Sequence, residues 1–107
     1  MVEELMYFKL KTLEDMVKLV AFSPAPMLQH TVVEGRQVYF IQSFSIVGKP
    51  LVYYLERDEK LESKYVVYNR FNDTISFSDK PGSDGQSVYI PIIEIEKTNL
   101  LDIIGRR

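Results

Sequence analysis

Thr-Leu-Glu-Asp-Met-Val-Lys-Leu-Val-Ala-Phe-Ser-Pro-Ala-Pro-Met-Leu-Gln-His-Thr-Val-Val, residues 12–33, changes its hydrophobic period once, and that change decides the fold. In the first half Leu13, Met16, Val17 and Val20 recur at helical spacing, with Glu14, Asp15 and Lys18 turned away. Thr12 stands where an N-cap belongs, and Glu14 and Asp15 put negative charge in the first turn, where it suits the helix dipole. Ser23-Pro24-Ala25-Pro26 ends the element, because proline removes a donor and disfavours helix just before it. The pattern predicts a helix over about 12–22. From residue 27 the period is two, which belongs to strands.

Outward from this stretch, strands are expected at 5–10, 27–33, 37–47, 51–57, 64–69, 74–78 and 86–96. Glu34-Gly35-Arg36 reads as a tight hairpin turn, Val47-Gly48-Lys49-Pro50 as a second turn, and Asn72-Asp73 as a third. Pro91 cannot donate to a ladder and points to an edge strand or a bulge. Leu100-Leu101-Asp102-Ile103-Ile104 suggests a short C-terminal helical turn. The fold class read from this order is α+β: a mainly antiparallel meander of about six or seven strands with one helix packed on it. The sheet is expected to be curled, a sandwich or a partial barrel, because 51–57, 64–69 and 86–93 carry apolar residues on both faces.

One domain over 1–107 is expected, since two independent cores would leave each half too small to be stable. Seven Tyr and six Phe supply much of a small core. The chain has no cysteine, which removes disulfides, thiolate metal sites and thiol nucleophiles. It opens on acidic residues rather than a basic leader, and no apolar run approaches the ~20 residues that cross a bilayer. A cytoplasmic protein with no membrane contact is the expectation. A net charge of −2 argues against general coating of nucleic acid, which depends on surplus positive charge.

Side chains suited to chemistry are sparse. His30 is the only histidine, so the usual zinc arrangements and a Ser-His-Asp relay lack members, and a satisfied strand histidine is expected. Glu94 and Glu96 share one face of the last strand and are read as solvated carboxylates. The glycine-containing loop at 79–87 has neither the ligand spacing of an EF-hand nor the Gly-Lys-Ser/Thr of a phosphate loop. No catalytic residue, metal site or cofactor is assigned.

The leading expectation is a non-enzymatic binding or adaptor domain, acting as a homodimer or as a small subunit of a larger complex. Its contact surface is placed on the second face of the meander around Tyr39, Tyr53, Tyr65 and Tyr68, because a large bare apolar face is uncommon on a monomer. An alternative is an accessory protein that binds nucleic acid through Lys49, Arg57, Lys64, Arg70 and Phe71, with bases stacked on exposed rings. The third reading is a small enzyme that depends on carboxylates.

Overall fold

A computed structural model describes residues 6–44, 47–82 and 84–96. Eight elements follow one another: β1 (Met6–Lys9), α1 (Leu13–Ala21), β2 (Leu28–Val33), β3 (Arg36–Phe44), β4 (Pro50–Arg57), β5 (Tyr65–Asn69), β6 (Thr74–Ser78) and β7 (Ser87–Glu94). The helix begins as its sequence requires. The Thr12 hydroxyl accepts from the Asp15 amide at 3.1 Å, and the stripe of Leu13, Met16, Val17 and Val20 is buried. The C-terminal helical turn expected at 100–104 lies outside the described residues.

The seven strands form one sheet in the order β1-β4-β3-β2-β7-β5-β6. Hairpins β2–β3, β3–β4 and β5–β6 are antiparallel, as the short turns demand. The expectation of a mainly antiparallel meander is corrected by two parallel pairings, β1 with β4 and β2 with β7, so the sheet is mixed. Both have the same cause. The helix carries the chain from the end of β1 back to the start of β2, and residues 79–86 return it from the end of β6 to the start of β7. Each return sends the next strand out in the earlier direction. Among the described residues no barrel or sandwich forms, since β1 and β6 are free ends of an open sheet.

Curvature replaces closure. Leu55 on β4 and Ile75 and Phe77 on β6 lie five places apart in strand order, yet they line one cleft beside the N-terminus of α1. A flat sheet would hold them roughly 24 Å apart, so the strands wrap round the helix. The main core fills that concave face: the helix stripe meets Leu28, Tyr39, Ile41, Leu55, Val66, Tyr68, Val88 and Ile90. A smaller cluster of Val38, Phe40, Val52 and Tyr54 is buried on the reverse face, with Tyr7, Val33 and Ile95 against it.

Pro91 is a further correction, because β7 is an interior strand. The Ile92 amide donates to the Lys64 carbonyl on the β5 side. Alternation along the strand therefore turns the Pro91 nitrogen towards β2, where that ladder only begins at Leu28 opposite Ile92. The missing donor falls just outside the ladder.

Candidate functional site

His30, on β2, is 2% exposed and is held on three sides. Its Nδ1 lies 2.5 Å from Glu94 Oε2, across the parallel β2–β7 pairing that sets the two residues side by side. Its Nε2 lies 2.7 Å from Gln37 Oε1 on β3. The Tyr39 ring leans over it at 4.6 Å between centroids. Glu94 also receives Lys60 at 3.2 Å, and the Tyr39 hydroxyl accepts the Leu61 amide at 2.8 Å, so residues 60 and 61 are pinned beside the imidazole.

This arrangement restrains the ring and leaves it little chemistry. Nδ1–H donates to the carboxylate. A side-chain amide presents either an acceptor or, after a half-turn, a donor, so Gln37 satisfies Nε2 in both protonation states of the ring. Neither nitrogen faces a hydroxyl that it could activate. Burial pushes the Glu94 carboxyl up, but the His30 and Lys60 hydrogen bonds and charges outweigh that and hold it below the ordinary carboxylate value. Burial pushes the Tyr39 hydroxyl up. Among the described residues no three His, Cys, Asp or Glu side chains converge as a metal site would need. Glu96, read with Glu94 as a pair, is exposed past the end of β7.

The four tyrosines do not form one surface. Tyr39 and Tyr68 are buried in the core under α1, and Tyr53 packs partly buried against it. Tyr65, one residue from inward-facing Val66, looks to the reverse face and is half-buried. A two-residue period splits neighbouring positions between faces, and three of these four tyrosines fall on the helix side. The centre of the reverse face is itself closed, with Phe40 and Val38 only 1% exposed.

The basic residues are likewise dispersed. Strand directions place Lys49 and Arg70 at one end of the sheet and Arg57 and Lys64 at the other. Eight-residue strands put roughly 25 Å between those ends. The Arg57 Nε–H donates to the Glu59 carbonyl, and Lys64 shares a cleft with Glu62 and Glu94.

A different feature emerges from the strand directions. Three connections meet at the end of the sheet that holds Lys49 and Arg70: the α1–β2 loop, the β3–β4 turn and the β5–β6 turn. Each carries a highly exposed apolar side chain: Phe22 at 72%, Val47 at 76% and Phe71 at 82%. No other large hydrophobic residue among those described is as exposed as these three. Met27, also exposed, stands beside an open cleft of about 650 Å³ lined by Leu19, Pro24, Ile41, Ser43 and Tyr53.

Hydrogen bonds and a ring contact tie the β5–β6 turn to the end of α1. Gly48 takes the positive φ its turn needs. Asn69 Oδ1 accepts from the amides of Phe71 and Asn72. Asp73, at φ +58°, accepts from the Tyr68 hydroxyl at 2.5 Å and from Lys18 at 3.0 Å. Those two bonds hold the Asp73 carboxyl below its usual value. Phe22 stacks edge-on to Tyr68 at 6.0 Å, which ties the helix end to the same turn.

The opposite end is charged. Glu34, Arg36, Asp58, Glu59, Lys60 and Glu62 are exposed there, and Arg36 bridges Glu56 at 3.4 Å and Asp58 at 3.3 Å. The molecule has an apolar pole and a charged pole. Of the residues named from sequence, only Phe71, Lys49 and Arg70 sit at the apolar pole. Compared with known proteins, the chain matches no family model, no curated protein and no solved structure.

Proposed function

We propose that this chain is a non-enzymatic binding domain that works in the cytoplasm and docks through its apolar pole. The observation that carries the reading is the placement of Phe22, Val47 and Phe71 on three separate loops at one end of the sheet. Exposed apolar side chains scattered singly are ordinary on a soluble surface, whereas several gathered at one pole mark a contact surface. Membership of a larger assembly belongs to the same reading, with the pole as the attachment point. The buried imidazole, bonded on both nitrogens, supports assigning the polar centre a structural duty.

Replacing Phe22, Val47 and Phe71 together by serine tests it. The variant is expected to melt within a few degrees of the parent, because side chains this exposed add little to a core. A photo-reactive side chain at position 71 is expected to form a discrete adduct in the cells that make the protein. A large loss of melting temperature would make the tips part of the fold. A crosslinking pattern no different from one at an exposed site on the charged pole would remove the contact surface.

A further inference from the structure

Val38, Phe40, Val52 and Tyr54 occupy the middle of the reverse face, and they are 1%, 1%, 2% and 7% exposed. Thr31 and the Glu56 side chain, which flank Val38 in register on β2 and β4, are buried as well. A side chain stands roughly perpendicular to its sheet, so strand neighbours screen its flanks and leave its tip open. The reverse face is also the convex one, where neighbouring side chains splay apart. A phenyl ring that is 1% exposed in such a place requires atoms above it.

The described residues do not supply them. The helix lies on the other face, and the apolar side chains packed against this cluster are Tyr7, Val33 and Ile95. Tyr7 and Val33 belong to strands of the same sheet, and Ile95 continues β7, its amide donating to the His30 carbonyl at 2.8 Å. These three border the patch without roofing it.

The longest stretch outside the described residues is 97–107, Lys-Thr-Asn-Leu-Leu-Asp-Ile-Ile-Gly-Arg-Arg. It sets out two residues past Ile95, which already belongs to the cluster. Leu100, Leu101, Ile103 and Ile104 give it four large apolar side chains, spaced to share one side of a helical turn. From Val33 on β2 to Tyr7 on β1 the patch crosses three strand intervals, roughly 14 Å. A segment of this length spans about 16 Å even at the short rise of a helix, so it reaches across.

We propose that residues 97–107 fold back over the reverse face and seat Leu100, Leu101, Ile103 and Ile104 on Val38, Phe40, Val52 and Tyr54. The domain then has a layer on each side of its sheet, α1 on one and the C-terminal segment on the other. The segment holds the place that a partner would otherwise take on that face, and its release bares a second apolar surface.

The chain has no cysteine, so one introduced thiol reports on one place. Val52→Cys is a small change of shape under the proposed cover, and Val66→Cys puts the same probe beneath α1. Both thiols are expected to react slowly with a maleimide in the otherwise intact chain. Adding Leu101→Asp with Ile104→Asp is expected to speed the reaction of Val52→Cys about tenfold and to leave Val66→Cys unchanged, because carboxylates do not stay against an apolar patch. An unchanged rate at Val52→Cys overturns the proposal. So does an equal rise at both thiols, which marks loss of the whole fold rather than of a cover. If Leu5→Asp uncovers Val52→Cys and the C-terminal substitutions do not, the cover is the N-terminal segment. If dilution alone uncovers it, the cover is a second copy of the chain. Either result also overturns the assignment.

Discussion

Glu94 is more than half exposed, yet it anchors the buried His30 and bridges it to Lys60. Its carboxyl titrates below its ordinary value of 4.5 in the folded chain. A depressed folded-state pKa adds stability that is present above the unfolded value and is lost as pH falls through the folded value. Glu94→Gln is expected to cost about 0.5–1 kcal/mol at neutral pH, because it replaces a charged acceptor with a neutral one at a site where solvent screens much of the charge. The gap between variant and parent is expected to narrow in acid, below the ordinary carboxylate value of 4.5, as the parent carboxyl takes up its proton. Urea midpoints at neutral pH and in acid read this directly, and a gap that stays constant would remove the linkage. Asp73 follows the same sign, held low by the Tyr68 hydroxyl and by Lys18.

At the scale of elements, the β2–β3 turn carries a visible compromise. Glu34 at φ +50° and Gly35 at φ +82° form a two-residue turn with both centres left-handed. That conformation matches the twist of a hairpin and favours Asn-Gly over Glu-Gly. Glu34→Asn is expected to raise stability by about 1 kcal/mol, measured as a shift in melting temperature. An unchanged or lower melting point would show that the Glu34 side chain contributes something the asparagine cannot.

Elements that depend on near neighbours were legible in the sequence. Thr12 and the prolines bound the helix within a residue at each end, and β6 falls on the expected 74–78. Pairings between distant segments were not legible. Short turns imply antiparallel neighbours, and nothing near Leu28 announces that Ile92 will lie beside it. The His30–Glu94 bond follows from that one long-range register, so the polar centre was out of reach too. The apolar pole was half legible. Phe71 sits inside a turn signal, where a phenylalanine has no core to enter, whereas Val47 read as the last residue of a strand and Phe22 as the end of the helix. Only the strand directions bring those loops to one end.

As a whole, the molecule is two sub-sheets joined by one strand. β1, β4, β3 and β2 form one, the β5–β6 hairpin forms the other, and β7 lies between β2 and β5. Amide hydrogen exchange is expected to be slower in β4, β3, β2, β7 and β5, each paired on both sides, and fastest in β1 and β6 at the free ends. Uniform protection across all seven strands would instead mean that the chain opens only as one unit. Replacing His30 is expected to speed exchange in β2 and β7 together, since their register carries that contact.

During synthesis β7 is the latest of the eight elements to leave the ribosome, although its place is inside the sheet. At 5–20 residues per second, roughly one to four seconds separate the emergence of β5 from that of β7. For that interval each half of the nascent chain holds a raw backbone flank that only its own missing keystone can seal. A chaperone that shields unpaired strands has its natural moment of action there, and any slowing of translation over residues 70–86 lengthens it.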